Sequence, residues 1–497
     1  MIPIGIPIGL AVLIPFLGAC GVVATRKSPL VRNCVLVISG LVNLFLLVYL
    51  LLVYLPPTYL PVPRENYATV QVLFETLPGL RVAFHIEPLG LIFALTAGLL
   101  WPITSVYSIG YLKAGNDPHQ TRFHALFCVA IGCAMGIAFA ENLFTLFLFY
   151  EILTLSTWPL VTHSRTPEAM AAGRVYLGVL LTTSLILFLL AIVLVGSYGS
   201  GLSFIPGGVL SNVSPTLATV LLLLFLFGIG KAAVMPFHRW LPNAMVAPVP
   251  VSALLHAVAV VKAGVFSILK ISVYIFGFDS LSSLRLNDIM LQDIILWIPA
   301  ITILLASVIA MRQDDIKARL AYSTISQLSY IVLGALMANQ MGMIGGAIHI
   351  TMHAFGKITL FFCAGAIIVF SGKNKVSEMN GLGRSMPWTF VAFFIAALSI
   401  AGLPPAGGVW SKWYLALATL ETGQLGLLAV LMISSLLNVY YLLSIPLRAF
   451  FLPADGPQQA LENRASMVVP LMLTAAVSVL LFFIADGLAS FIGEIQS

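Results

Sequence analysis

Fourteen runs of roughly twenty apolar residues follow one another through this chain, and a helix needs about that length to cross the hydrocarbon core of a bilayer. Their approximate limits are 5–24, 33–55, 88–110, 122–139, 143–162, 172–197, 217–236, 251–275, 290–311, 321–338, 342–370, 387–418, 423–450 and 466–492. The runs lack the polar alternation of barrel strands, so helices are the expected element. Of the 497 residues 60% are hydrophobic and 8% charged, where a soluble domain carries about 25% charged residues. So little charge cannot cover a soluble surface, which excludes a cytosolic enzyme, a nucleic-acid binder and a disordered chain. No loop exceeds roughly 32 residues, so no soluble domain is expected. The fold class is an all-α polytopic membrane protein.

Leu17-Gly18-Ala19-Cys20 is similar to a lipoprotein cleavage box, but no Lys or Arg precedes it. Without a basic n-region the segment reads as a retained first helix. The five cysteines (Cys20, Cys34, Cys128, Cys133, Cys363) form no CxxC pair and lie in apolar runs. They read as small hydrophobes rather than disulfide partners or metal ligands. The chain has no nucleotide loop, Rossmann fingerprint, haem motif or iron–sulfur motif, so no cofactor is expected.

Basic residues orient the helices. Loops after odd-numbered runs hold sixteen Lys and Arg, whereas loops after even-numbered runs hold four: Arg64, Arg81, Lys270 and Arg285. The excess of positive charge places odd loops in the cytoplasm and both termini on the other side. The remaining four basic residues, Lys231, Lys262, Lys357 and Lys412, lie inside apolar runs.

Two runs carry Gly/Pro interruptions together with one of these lysines. The seventh contains Gly228-Ile229-Gly230-Lys231-Ala232-Ala233-Val234-Met235-Pro236, and the twelfth Gly402-Leu403-Pro404-Pro405-Ala406-Gly407-Gly408-Val409-Trp410-Ser411-Lys412. They are five runs apart, and a shift of five reverses direction across the membrane. Interrupted helices in corresponding positions point to an inverted repeat, runs 4–8 against runs 9–13, with an ion site near the midplane.

A charge at mid-bilayer costs several kcal/mol, so each titratable residue there needs a reason. Glu151, in run 5, is either a neutral acid hydrogen-bonded to a neighbour such as Thr154 or the partner of a membrane lysine. Lys231 is the natural partner. Desolvation favours an uncharged amine and a nearby carboxylate favours the ammonium, so a lysine whose acid can move away is a switchable proton carrier. Lys262, midway along run 8, can carry the same load. His256, six residues earlier, can do so too or can serve as a structural histidine. His349, His353 and Lys357 stand at i, i+4 and i+8 in run 11. Each step drifts about 40° and rises about 6 Å, so the three share one stripe. That spacing suits a file of proton carriers. Two histidines at i, i+4 can also hold zinc, but no Glu or Cys completes a site and the stripe ends in lysine, so no metal is expected. Ser323, Thr324, Ser326, Gln327 and Ser329 in run 10 can hold water along the file or pack helices. Lys412 ends the series. His238 serves equally to anchor its loop or to handle protons. Asp486 and Glu141 have weaker claims, and Glu141 reads as interfacial.

Three stretches carry a resemblance. They are Glu141-Asn142-Leu143-Phe144-Thr145-Leu146-Phe147-Leu148-Phe149-Tyr150-Glu151, then Pro236-Phe237-His238-Arg239-Trp240-Leu241-Pro242-Asn243-Ala244, then Ala247-Pro248-Val249-Pro250-Val251-Ser252-Ala253-Leu254-Leu255-His256-Ala257 with Lys262-Ala263-Gly264-Val265. Over roughly 85–480 the chain resembles the antiporter-like membrane subunits. These include the D-type subunits of Mrp multisubunit cation/proton antiporters, the large proton-pumping subunits of respiratory complex I, and relatives in membrane-bound hydrogenases. The stretch through Val265 resembles the D-type Mrp subunits in particular. The resemblance implies fourteen helices with an inverted repeat. It implies that Glu151 and Lys231 form the ion pair, that Lys262 connects, that His349, His353 and Lys357 make the central relay, and that Lys412 is the terminal carrier, where some family members have Glu. Asn243 stands where the family's loop usually has Asp, so a loop carboxylate has no role there. Because the chain ends soon after run 14, the long lateral helix of the largest subunits is expected to be absent.

The expectation is therefore a proton-translocating subunit of a monovalent cation (Na+)/proton antiporter, or else a proton-pumping subunit driven by redox chemistry on its partners. A scaffold with relic charges is the third possibility. The chain divides into N-terminal helices 1–110, a first five-helix repeat 122–275, a second 290–450, and a last helix 466–497. Expected partners are other antiporter-like and small membrane subunits, the lipid bilayer, protons and sodium ions, and no nucleic acid. The expected location is the cell's inner (plasma) membrane.

Overall fold

The computed structural model describes residues 5–55, 70–77, 80–286, 289–453 and 460–495. Arg64, counted above among the loop charges, lies outside the described residues. The protein is a nearly all-helical, multi-pass membrane protein. Among the described residues eleven helices are long and apolar enough to cross a membrane, and Pro215–Gly228 and Pro387–Ala401 are shorter apolar helices.

In chain order the helices are α1 (Gly5–Ala24), α2 (Pro29–Tyr54), α3 (Pro88–Ala114), α4 (Gln120–Ala138), α5 (Leu143–Val161), α6 (Pro167–Tyr198), α7 (Pro215–Gly228), α8 (Val249–Ser282), α9 (Gln292–Arg312), α10 (Ile316–Leu336), α11 (Gln340–Ser371), α12 (Pro387–Ala401), α13 (Gly408–Glu421), α14 (Leu425–Phe451) and α15 (Ala465–Gly493). Several starts are set by side chains that accept from a first-turn amide, which satisfies a donor the helix cannot. Asn142 caps α5, Thr166 α6, Asp315 α10 and Asn339 α11.

Two features fall outside the sequence expectation. Within the segment read as a loop, β1 (Val70–Leu77) and β2 (Leu80–His85) pair as an antiparallel hairpin. In addition, α6 and α8 are wound locally as π-helix, at Thr183–Phe188 in α6 and at Leu254–Val258 and Ser272–Phe276 in α8. Such single-turn widenings are common at functional positions in helices.

The long α11 is the hub. It packs against α3, α8, α10, α12, α13 and α15, and so touches both broken-helix regions' neighbours at once. Every residue of the most apolar stretch of α8 is buried, whereas only 28% of that of α2 is. The exposed faces of α2, α9, α14 and α15 carry Phe45, Ile301, Leu436 and Phe483, side chains suited to lipid or to an apolar partner.

Candidate functional site: a buried row of lysines and histidines

The seventh run breaks where its sequence says it should. The α-helix stops at Gly228, a 3-10 turn covers Gly230–Ala232, and Ala233 takes a left-handed conformation (φ 55°). The break puts Lys231 against α5. Its Nζ donates to the Tyr150 carbonyl (2.8 Å) and to Thr154 Oγ1 (2.5 Å), and lies 3.2 Å from the Tyr150 ring centroid. Its backbone N–H donates to Tyr150 Oη (3.1 Å). Lys231 is fully buried.

The expected Glu151–Lys231 ion pair is not closed in this structure. No carboxylate oxygen of Glu151 comes within 4.0 Å of the ammonium, and Glu151 Oε1 is buried without a hydrogen-bond partner. The physical reason lies in the helix. Tyr150 and Thr154, four residues apart, face the turn together, while Glu151 points about 100° away around α5.

Lys262 and His353 meet directly, with 2.7 Å between Nζ and Nδ1. From His353 the row continues along α11. The His353 and His349 rings stack with centroids 5.7 Å apart, as the i, i+4 spacing predicts. His349 Nδ1 is 2.8 Å from Ser411 Oγ, and Tyr330 stacks on the same imidazole at 5.7 Å. Lys412, next to Ser411, lies over the Tyr330 ring at 5.1 Å. Tyr330 therefore packs against both His349 and Lys412, and Ser411 ties His349 to the helix that carries Lys412. Sequence reasoning missed Tyr330, which looked like one more aromatic in an apolar helix.

The twelfth run is also broken. α12 ends at Ala401, Gly402 takes φ 82°, and α13 resumes at Gly408. Only a residue without Cβ adopts that φ freely. The break exposes the last carbonyls of α12, the negative end of a helix dipole. Lys412 Nζ donates to one of them, Ala401 O (2.9 Å), and to Ser435 Oγ (3.1 Å).

Lys357 stands beside the row rather than between His353 and Lys412. Its Nζ donates to Ser323 Oγ (2.7 Å) and to the Leu320 carbonyl (3.3 Å) on α10, and Ser323 also accepts from Tyr441 Oη (3.0 Å). His256 packs its ring on Phe361 at 4.7 Å, and neither of its nitrogens has a hydrogen-bond partner.

None of Lys231, Lys262, Lys357 and Lys412 makes an ion pair with a described carboxylate; carbonyls, hydroxyls and an imidazole hold them instead. Beside them His349 Nε2, His353 Nε2 and both polar side-chain atoms of Gln327 are buried with no hydrogen-bond partner. Buried polar groups of this kind are ordinarily satisfied by ordered water. Among the described residues no three His, Cys, Asp or Glu converge as a metal site.

Lys270 corrects the sequence reading, which takes it as a loop charge. It lies inside α8, buried, in an ion pair with Glu87 at 2.6 Å. Glu141 pairs with Arg81 at 2.9 Å.

These features define the class: a polytopic helical membrane protein with lysines and histidines buried among its helices. Residues 140–438 match the family described as NADH:quinone oxidoreductase/Mrp antiporter, membrane region, and the chain belongs to that family. The chain is 33% identical to NADH-quinone oxidoreductase subunit N of Desulforudis audaxviator over 385 residues, 74% of this chain and 75% of that one. It is 31% identical to a probable K(+)/H(+) antiporter subunit of Rhizobium meliloti over 408 residues, 79% of this chain but 39% of the relative. Against hydrogenase-4 component B of Escherichia coli the identity is 29%, covering 82% of this chain and 63% of that one. The chain thus spans less than two thirds of the second and third relatives. Among solved structures, a chain of the Mrp complex from Dietzia sp. superposes with TM-score 0.81 at 23% identity, covering 99% of this chain and 97% of that one. A chain of a membrane-bound sulfane sulfur reductase, an archaeal respiratory complex, gives 0.82 at 23%, covering 98% and 97%. At that identity the likeness defines the fold.

Proposed function

We propose that this chain is the proton-translocating subunit of an Mrp-type Na+/H+ antiporter, working inside a larger complex of antiporter-like and small membrane subunits in the plasma membrane. The observation that carries this reading is the continuity of the buried row: Lys262 touches His353, His353 stacks on His349, and His349 reaches Lys412 through Ser411 and Tyr330. Protons are loaded at Lys231 or Lys262, pass along the imidazoles, and leave from Lys412. Lys357 and His256 flank this line. Closing and opening of the Glu151–Lys231 contact changes the local positive charge and pushes the carried proton onward. The two broken helices belong to five-helix repeats, 122–275 and 290–450, related by inversion, with 1–110 and 466–497 outside them. Odd loops face the cytoplasm, and both termini lie on the other side.

The test is Glu151→Ala and Lys231→Ala in the assembled complex. Loss of proton flux with normal assembly is expected; normal flux in either variant rejects the pair. A second reading is favoured by the 33% identity to an NADH-quinone oxidoreductase subunit. On that reading the same row is driven by redox chemistry on partner subunits. Co-purification of dehydrogenase or hydrogenase subunits, rather than small antiporter subunits, decides for it.

A further inference from the structure

Lys270 and Glu87 do not belong to the row just described. Lys270 lies eight residues beyond Lys262 on α8, roughly 12 Å further along the axis, toward the face that carries the β1–β2 hairpin. Its Nζ is held in a compact cage. Glu87 Oε1 is at 2.6 Å, the Ala140 carbonyl accepts at 2.7 Å, and the rings of Phe204 and Phe266 lie 4.6 and 5.6 Å away. The backbone fixes that carbonyl. Glu141 N donates to Ala83 O on β2 (3.0 Å) and Phe204 N donates to Glu141 O (3.0 Å), so residues 140–141 are laced between two extended segments.

One wall of this cage borders a cleft. The cleft, of about 230 Å³, opens on the hairpin face, lined by His85, Glu87, Phe204, Tyr274 and Glu494. Glu87 is thus in contact with both sides: its Oε1 meets the buried ammonium, and the residue lines the open cleft. The titratable and charged neighbours are Tyr54 on α2, His85 on β2, Tyr274 on α8, Glu494 at the end of α15, and the Arg81–Glu141 pair. A buried ion pair is a costly way to gain stability, because desolvation offsets most of the attraction.

We propose that this cleft is an aqueous proton port of the first half of the protein, and that the Glu87–Lys270 pair is its gate. The inference rests on the proton-translocation reading above. A proton passes from the Lys270 ammonium to the Glu87 carboxylate, leaving a neutral amine and a neutral acid. The acid releases the proton to water in the cleft, and the amine is recharged from the interior; run backwards, the same steps take a proton up. Lys270, two helical turns beyond Lys262, gives the first half its own exchange with one aqueous side.

The experiment uses the assembled complex in closed, oriented vesicles, with the two exposed cysteines removed (Cys20→Ser, Cys34→Ser). Tyr274→Cys and Phe204→Cys report on the cleft and Ser267→Cys, fully buried on α8, is the dry control. A membrane-impermeant trimethylammonium-ethyl methanethiosulfonate is added to the hairpin face. Both cleft positions should react at least roughly tenfold faster than Ser267→Cys, and the adduct should lower proton flux by roughly tenfold or more relative to the same protein before labelling. Because labelling follows assembly, folding defects do not enter the comparison. Equal, slow labelling at all three positions overturns the port, and fast labelling with unchanged flux overturns its role in transport. Glu87→Gln should lower flux while Glu87→Asp restores it; normal flux in an assembled Glu87→Gln complex overturns the gate. If Lys231→Ala also leaves flux intact, the relay reading fails, and the labelling rates still decide whether the cleft is aqueous.

Discussion

Gly264→Ala is the smallest change that tests whether the two lysine-bearing elements are held in register. Gly264 lies on α8, two residues after Lys262, where the helix presses on the broken seventh run. A methyl group there would sit 2.4 Å from both Ala232 N and the Lys231 carbonyl carbon, and 2.8 Å from Lys231 O. All three are backbone atoms, so no flexible side chain can give way. Ordinary contact begins near 3.4 Å, so α8 and the turn must part by about 1.0 Å (3.4 − 2.4). Lys262 moves with α8, while its partner His353 sits on α11. Two residues are about 200° apart around a helix, so Lys262 faces away from the turn, and a shift of that size presses its 2.7 Å contact with His353 out of register. Overpacking of this kind costs about 1–3 kcal/mol, and an ångström of misplacement at a transfer site about 10²-fold in rate. The assay is proton flux in vesicles beside thermal unfolding of the purified complex. Gly178→Ala, where nothing lies within 4 Å of the added methyl, is the internal control and should keep flux and hold or raise the midpoint. If Gly264→Ala behaves like Gly178→Ala, the close approach does not govern the register and the reasoning fails.

Four further predictions rest on contacts in the same structure. His353→Ala and Lys262→Met should each lower proton flux by at least about tenfold, and the double variant should be no worse than the more severe single, since both break one contact; additive losses would contradict a shared step. Lys270→Met should destabilise the complex by about 3–5 kcal/mol by leaving the Glu87 carboxylate buried alone, and Glu87→Gln combined with Lys270→Met should recover much of that loss. Arg81→Ala, by contrast, removes a partner whose side chain is 45% exposed and should cost less than about 1 kcal/mol in thermal unfolding. His163, in the loop after α5, is pulled below its ordinary value of 6.5 by burial, partly opposed by its hydrogen bond to Asp117. The unfolded chain therefore binds the proton more readily, so stability is lost as pH falls below about 6.5 toward the folded value. Unfolding midpoints of His163→Gln should decline less steeply than wild type over that interval.

Much of the fold was legible because apolar length alone determines which segments can cross a membrane. The ends of α3, α5, α11 and α15 fall within a few residues of the apolar runs. The breaks in runs 7 and 12 were legible from Gly and Pro for the same reason that they form: neither residue supports a continuous helix there. The hairpin was not, because its strands are short and lie in a connection that periodicity treats as loop. The candidate row was legible as a set of residues but not as a path. Charge in an apolar run marks Lys262 and His353 individually, whereas their contact depends on how α8 crosses α11, which no local pattern encodes. The same limit explains Lys357, which the spacing placed in line and the structure places beside the line, on Ser323. It also explains Lys270, which looked like a loop charge because its partner, Glu87, is far away in sequence.

The measurement that bears most directly on the account is proton flux through the assembled complex carrying Lys262→Ala and Lys412→Ala together. Flux should collapse while subunit composition and membrane insertion stay normal. A complex that assembles and moves protons at the wild-type rate without those two amines would show that the buried row is scaffolding and carries nothing.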